Sequence, residues 1–197
     1  MTEKQELIDL LIRENYLKTP RIIKAFKKID RADFVLEQFK KEAYANYPLS
    51  IGHNQTISQP ATVAFMLELL EPKPGDKILD IGSGSGWQTA LLAHIVKQVF
   101  AIERIPELKK FGEKNVAKYG FDNIKFICTD GSNGLPEQAP FDKIIIAASA
   151  EKMPEILRQQ LTENGRLVLP IKNSIWLITK KSQQEFPGFV FVPLIKD

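Results

Sequence analysis

The chain has 197 residues, 44% apolar and 26% charged, the make-up of a globular protein in one compact domain large enough to bury a core. Its 27 basic and 24 acidic residues leave a net charge of only +3, too little to signal nucleic-acid binding, and the lone cysteine, Cys128, excludes an internal disulfide. His53 and His94 beside that cysteine do not make a structural zinc set, so no metal is expected, and no apolar run approaches the ~20 residues of a membrane helix.

The opening stretch, Met1 to Asp9, is polar and mixed in charge and does not read as a signal peptide, so a cytoplasmic protein without a membrane partner is expected. No heptad seam points to a dimer, which leaves a monomer as the default. Residues 3–47 read as helical: Leu7, Ile8, Leu10, Leu11 and Ile12 cluster on one broad face, and Thr19-Pro20 looks like an N-cap followed by proline at the first helical position. The stretch from Tyr47 to Gln59 reads as irregular and polar. Pro60 then opens an amphipathic helix that runs through Leu70 and is stopped by Pro72 and Pro74-Gly75.

From there strands and helices alternate. Strands are expected at 77–81, 98–102, 123–128, 142–148, 165–171, 174–181 and 188–194, with helices near 87–97, 106–119 and 153–161. Such alternation gives a parallel, doubly wound sheet. Only Lys172-Asn173 separates Ile171 from Ser174, and the short stretch from Gln183 to Gly188 joins the last pair. Parallel neighbours need a crossover of a dozen or more residues, so these last strands must pair antiparallel. The expected fold is therefore α/β: a doubly wound, Rossmann-like sheet with antiparallel C-terminal strands and an N-terminal helical extension. It is read as one domain over 1–197, helical over about 1–72, with the α/β core at about 75–197.

The richest stretch is Leu79-Asp80-Ile81-Gly82-Ser83-Gly84-Ser85-Gly86, where an apolar strand ends on an acid and breaks into alternating glycines before a helix. Glycines at such a turn accept open dihedrals and let a ligand approach without a Cβ in the way, and the free N–H groups of the helix start face it. A dinucleotide loop would need its third glycine at position 87, which is Trp87. The spacing is D-x-G-x-G-x-G instead. A pyrophosphate would be repelled by Asp80, whereas a sulfonium and its α-ammonium would be drawn to it. Glu103 ends the next strand about 20 residues on, where an acid reads ribose hydroxyls. Asp130-Gly131 follows the third strand, placed to flank an adenine ring. The three strand ends together point to S-adenosylmethionine. Taken singly, Asp130-Gly131 also reads as an ordinary turn, and Ser58 as the N-cap of the helix that contains Pro60.

At this point the chain closely resembles the protein-L-isoaspartate O-methyltransferases, over nearly its whole length. The resemblance rests on Ile29-Asp30-Arg31-Ala32-Asp33-Phe34-Val35, on Pro48 to Pro60 with its Gln55-Thr56-Ile57-Ser58 core, on Leu79 to Gly86, and on Ile102-Glu103-Arg104. Asp130-Gly131 with Gly134, Ala139 to Asp142, Gln160-Leu161 with Gly165 to Val168, and Phe191 to Leu194 add to it, as does the early hairpin after Ile171. The resemblance implies transfer of methyl from S-adenosylmethionine, with S-adenosylhomocysteine as product, to the α-carboxylate of isoaspartyl residues in damaged peptides and proteins. It implies Ser58 as the active-site residue. It also implies cofactor contacts at Gln55, Thr56, Ile57, Ser58, Asp80, Gly82, Ser83, Gly84, Gly86, Glu103, Arg104, Asp130 and Gly131.

Some positions depart from the family pattern: Ser50 replaces a common proline, Asn54 a common glycine, Trp87 a frequent tyrosine, and Ile195 a polar residue of some relatives. Asp80 stands where bacterial members often have glutamate. The glycine loop and Glu103 alone leave open another S-adenosylmethionine-dependent methyltransferase, acting on one particular peptide aspartate or on RNA, or a non-catalytic binding protein. The Gln55–Ser58 segment separates these readings from the first. An exposed loop histidine such as His53 is more often a bystander than a substrate contact.

Overall fold

The computed structural model describes residues 1–194, so Ile195 and the end of the expected domain lie outside the described residues. Helix α1 (Glu3–Arg13) is capped by Thr2, whose hydroxyl accepts the Gln5 N–H, and it buries Leu7, Ile8 and Leu11. Helix α2 (Pro20–Lys28) begins after Thr19, with proline in its first turn. The Thr19 side chain does not cap its own helix. Its hydroxyl donates to Glu68 Oε2 at 2.6 Å, and the Lys18 and Thr19 N–H groups both donate to Glu68 Oε1 at 2.8 Å. One carboxylate thus satisfies the orphan donors ahead of α2 and ties it to α3 (Pro60–Leu70).

Between α2 and α3 lie two 3-10 turns, Arg31–Phe34 and Glu37–Glu42, and then a hairpin where irregular chain was expected. Its strands are β1 (Leu49–Gly52) and β2 (Gln55–Ile57), paired antiparallel. His53 and Asn54 form the tip, both at positive φ (53° and 56°). That geometry matches the twist of a two-residue hairpin, and asparagine tolerates it better than most residues, which accounts for Asn54 at a position where glycine is common. Leu49, Ile51 and Ile57 point inward while polar residues alternate with them. Three or four residues per strand are too few for that period to stand out in the sequence.

The remaining chain builds one seven-stranded sheet. In chain order its elements are β3 (Lys77–Ile81), α4 (Trp87–Ala93), β4 (Gln98–Glu103), α5 (Pro106–Ala117), β5 (Ile124–Cys128), β6 (Phe141–Ile146), α6 (Glu155–Gln159), β7 (Leu161–Ile171), β8 (Ser174–Ile178) and β9 (Gln183–Pro187). Spatial order is β5-β4-β3-β6-β7-β8-β9. The first five run parallel, and β8 and β9 are antiparallel additions. The α/β fold with antiparallel C-terminal strands behind N-terminal helices is therefore as read from the sequence.

Two boundaries need correction. Strand β7 begins at Leu161, taking over the end of a helix expected across 153–161. More consequentially, the last strand is Gln183–Pro187 and not 188–194. As an edge strand with mostly exposed side chains, β9 carries no apolar alternation and is held through its backbone pairing with β8. The apolar residues beyond it turn away at Gly188 (φ 98°) and cross the strand ends, where Ser149 N–H donates to Val192 O and Leu194 N–H to Ser149 O, both at 2.7 Å.

Alternate residues of the sheet feed two apolar layers. Ile78, Val99, Ile145, Val168 and Ile175 pack with residues of α1 to α5 such as Leu11, Ile22, Leu67, Leu91 and Leu108. Leu79, Phe100, Ile144 and Leu167 pack on the other face with Phe141 and Leu157. The N-terminal helices thus share one core with the sheet. From β3 the chain moves outward to β4 and β5, then returns to place β6 on the other flank of β3. At that reversal the connections leave in opposite directions, which opens a crevice above the carboxyl ends of β3, β4 and β6. Among the described residues no helix is long and apolar enough to cross a membrane.

Candidate active site

The glycine loop fills the floor of this crevice. Gly82, Gly84 and Gly86 all take positive φ (82°, 51° and 86°). A Cβ on Gly86 would lie 2.9 Å from both Gly112 O and Val116 Cγ2, so the loop is pressed against α5. Gly112 matches it from the other side, where a Cβ would meet Gly84 O at 2.8 Å. The Asn115 amide donates to Ser85 O at 3.1 Å and fixes the same contact.

Four of the loop's own amides are engaged within the fold. The Gly82 and Ser83 N–H groups donate to Ile102 O (2.9 and 3.0 Å), Gly86 N–H to Ser83 O (2.8 Å) and Gly84 N–H to Glu103 Oε2 (2.9 Å). A turn this tight between adjacent parallel strands consumes its donors in holding its own shape. Asp80 is likewise turned away from the crevice. It is fully buried, accepting from Gln88 Nε2 at 2.8 Å and Thr89 Oγ1 at 2.6 Å on α4. Burial raises its pKa to about 6, against the lowering effect of those two hydrogen bonds. Asp80 lines none of the cavities described below; it fastens α4 to the end of β3.

Above the loop lies a cavity lined by Ile81, Gly82, Gly84, Glu103, Arg104, Asp130 and Gly131. Ile51, Gln55 and Thr56 of the hairpin and Val192 to Leu194 of the crossing segment close it. Glu103 is buried and braced, its Oε1 accepting the Ile105 N–H at 3.0 Å. Asp130 accepts the Ser132 N–H and hydroxyl, both at 2.8 Å, so it forms a turn and lines the cavity at once. At Gly131 a Cβ would fall against Ile81 Cγ2 at 2.4 Å, which excludes any side chain there.

Two further cavities continue from the first through Thr56 and Ala147, which line all three. The inner one is walled by Ile57, Ser58, Gly82, Ser83, Gly84, Trp87 and Gln88. The outer one opens between Pro48, Ser58, Gln59 and Thr62 on one side and Phe189 to Val192 on the other. Ser83 and Trp87, which line the inner cavity, carry a hydroxyl and an indole N–H that are buried and find no partner among the described residues. Two orphan donors are costly unless a ligand accepts from them, and the carboxylate end of an amino acid does so. A chamber with acids at its wall, joined to an inner pocket bordered by Ser83 and Trp87, matches the chemistry of S-adenosylmethionine. Of the expected cofactor residues only Asp80 and Gly86 stand outside these walls.

Ser58 lies at the junction of the inner and outer cavities. It is not the N-cap of α3. That position belongs to Gln59, and the Ala61 N–H is satisfied from a distance by Asn46 Oδ1 at 3.0 Å. The half-buried Ser58 hydroxyl makes no hydrogen bond with any described residue, while its carbonyl accepts from Arg31 Nη2 at 3.2 Å. His53, at the exposed hairpin tip, lines none of the three cavities. Residues that the sequence reading did not single out include Gly112, Gln88, Thr89 and Asn46; Gln160, noted there only as part of the resemblance, holds Leu135 N–H and Asn133 O beneath the Asp130 turn through its amide. A glycine inside a helical pattern, as at Gly112, is the one signal among these that was there to be read.

Sheet order, glycine turn and chained cavities define an S-adenosylmethionine-dependent methyltransferase. Within that class the chain belongs to the protein-L-isoaspartate(D-aspartate) O-methyltransferase family, whose model matches residues 2–196. It is 40% identical over 205 residues to the protein-L-isoaspartate O-methyltransferase of Methanopyrus kandleri, covering 98% of this chain and 91% of that one. A relative from Marinobacter nauticus, protein-L-isoaspartate O-methyltransferase 2, is 44% identical over 185 residues, covering 89% and 84%. Among solved structures, a Plasmodium falciparum protein-L-isoaspartate O-methyltransferase in complex with S-adenosyl-L-homocysteine superposes with a TM-score of 0.88 at 28% identity, with both chains fully covered.

Proposed function

We infer that this chain transfers a methyl group to the α-carboxylate of isoaspartyl residues, forming an ester that closes to a succinimide and so begins the return to aspartate. The observation that carries this reading is Ser58: a residue whose hydroxyl is spared from helix capping, on the wall shared by the inner and outer cavities. When bound, S-adenosylmethionine supplies a methyl on a cationic sulphur and leaves as S-adenosylhomocysteine. In this reading Glu103 accepts from ribose hydroxyls, Asp130 and Gly131 flank the base, and Ser83 and Trp87 donate to the amino-acid carboxylate; that all five line the connected cavities supports it.

The acceptor needs no general base, because a carboxylate with a pKa near 3–4 is already ionised at neutral pH. What it needs is removal of water and alignment, with reacting atoms brought to roughly 3–3.5 Å. Ser58 holds one carboxylate oxygen through its hydroxyl and leaves the other directed inward. Phe189 to Val192 on the far wall exclude water from the acceptor side. Residues 1–197 work as one domain in this reading, with the part at about 1–72 supplying the acceptor wall and the core at about 75–197 the cofactor floor. The protein acts as a cytoplasmic monomer on isoaspartyl peptides and proteins, without nucleic acid or membrane.

The test offers paired peptides that differ only in aspartate against isoaspartate, with methyl-labelled S-adenosylmethionine. Base-labile label in the isoaspartyl peptide alone is expected. Equal labelling of both peptides, or label in added RNA instead, overturns the reading.

A further inference from the structure

Arg31 is a buried cation that the reaction as described does not use. It is 2% exposed, in the 3-10 turn Arg31–Phe34. Its guanidinium donates only to carbonyls: Nη1 to Ala43 O (2.7 Å) and Ala45 O (3.4 Å), Nη2 to Tyr47 O (3.1 Å) and Ser58 O (3.2 Å). Its Nε has no partner among the described residues, and its Cζ sits 5.4 Å from the centroid of the Trp87 ring. Among the described residues no carboxylate forms an ion pair with it. Asp30 is occupied by the Ala32 N–H, the Tyr44 hydroxyl and Lys4, and Asp33 by Tyr119 and Lys118. Burial pulls the guanidinium down only to about 10, so it stays charged at neutral pH. The other buried cation among the described residues, Lys143, sits toward the opposite end of the sheet and feels the acids Asp76 and Glu71.

An uncompensated charge inside a protein is expensive, and an apolar residue or a paired acid in its place costs less. The position of the charge accounts for its presence. One acceptor of Nη2, Ser58, lines the outer cavity, and the other, Tyr47, immediately precedes Pro48, which also lines it. Trp87, under the guanidinium, lines the inner cavity. Arg31 therefore stands one carbonyl behind the place where an anionic acceptor meets the methyl donor.

We propose that Arg31 is a positioning residue for the acceptor: it fixes the Ser58 carbonyl and supplies the buried positive charge that selects an anionic peptide group over a neutral one. This rests on the reading of the reaction given above, and the wild-type enzyme separates the two, since failure to methylate isoaspartyl peptide sinks that reading whatever Arg31 does. The experiment compares binding of an isoaspartyl peptide with that of the same peptide carrying a carboxamide in place of the α-carboxylate. Both are titrated calorimetrically in the presence of S-adenosylhomocysteine.

Wild type is expected to prefer the carboxylate about tenfold or more. Arg31→Gln should reduce that preference at least fivefold, while Arg31→Lys, which keeps the charge, should retain it within about twofold. Cofactor affinity of both variants should stay within about threefold of wild type. Wild-type affinities within twofold of each other overturn the proposal, as does an undiminished preference in Arg31→Gln. If Arg31→Gln does not fold, Arg31→Lys decides: a folded Lys variant that has lost the preference also overturns it, because a merely structural arginine would then explain everything seen.

Discussion

The glycine loop and the hairpin segment face each other across one cavity, and they are held by opposite means. The loop between β3 and α4 is backbone fitted against backbone. Its amides are spent on Ile102, Ser83 and Glu103, and Gly86 and Gly112 touch with no space for a methyl group. The segment from Tyr47 to Ser58 is held from behind by side chains, with Arg31 on its carbonyls and Asn46 on the turn that follows. A cofactor of constant shape suits a rigid backbone floor, because preorganisation lowers the cost of binding. A peptide substrate of variable sequence is better met by one fixed hydroxyl and a charge than by a moulded surface.

If that contrast is right, substitutions on the two sides should fail in different ways. The largest effect on turnover is expected from Ser58→Ala, with kcat falling about 100-fold or more, as when a single donor to reacting charge is removed. Melting temperature should stay within about 2 °C and S-adenosylhomocysteine affinity within about twofold, because the hydroxyl caps nothing. Turnover within threefold of wild type would remove the acceptor wall from the mechanism.

Gly86→Ala should instead lose stability and cofactor together. The positive φ and the 2.9 Å approach to Gly112 O act in concert; about 2–4 kcal/mol in urea titrations is expected. Gly52→Ala sharpens the point. Gly52 has a similar φ of +88° but nothing within 4 Å of a Cβ, so only the backbone term of about 1 kcal/mol should appear. Equal losses at the two glycines would mean that the press of the loop on α5 is unimportant.

Asp80 offers a pH-dependent version. Its folded pKa of about 6 lies above the ordinary carboxylate value, so the folded form binds the proton more tightly than the unfolded chain. The stability this contributes is fully present only well below the ordinary value of 3.8 and is lost as pH rises through 6. Cofactor-free wild type should therefore lose about 2 kcal/mol relative to Asp80→Asn between pH 4 and 7. Parallel stability profiles of the two proteins would show that the carboxyl is not desolvated as described. The smallest effect is expected at the exposed hairpin tip: His53→Ala should leave kcat and KM for isoaspartyl peptide within about twofold of wild type.

Much of this arrangement could be read before folding. The alternation of strands and helices, the acid before the glycines, Glu103 and Asp130-Gly131 at successive strand ends, and the two-residue link that forces β8 antiparallel are all local signals with one physical meaning each. The hairpin at 49–57 was less legible because its strands are too short to display a period. The last strand was misplaced because β9 is held by backbone pairing at an edge, while the apolar residues after it serve as a cavity wall.

The roles of particular side chains divide in the same way. Sequence alone determined that a glycine turn would follow a buried strand with an acid at its end, since the dihedrals and apolar runs involved are properties of neighbouring residues. It did not determine that Asp80 would turn toward Gln88 and Thr89, that Ser58 would be released from capping by Asn46, or that Arg31 would stand uncompensated behind Ser58. Those are contacts between segments distant in the chain or between facing surfaces of packed elements. Their energies depend on which groups lose water together, and only the tertiary structure decides that.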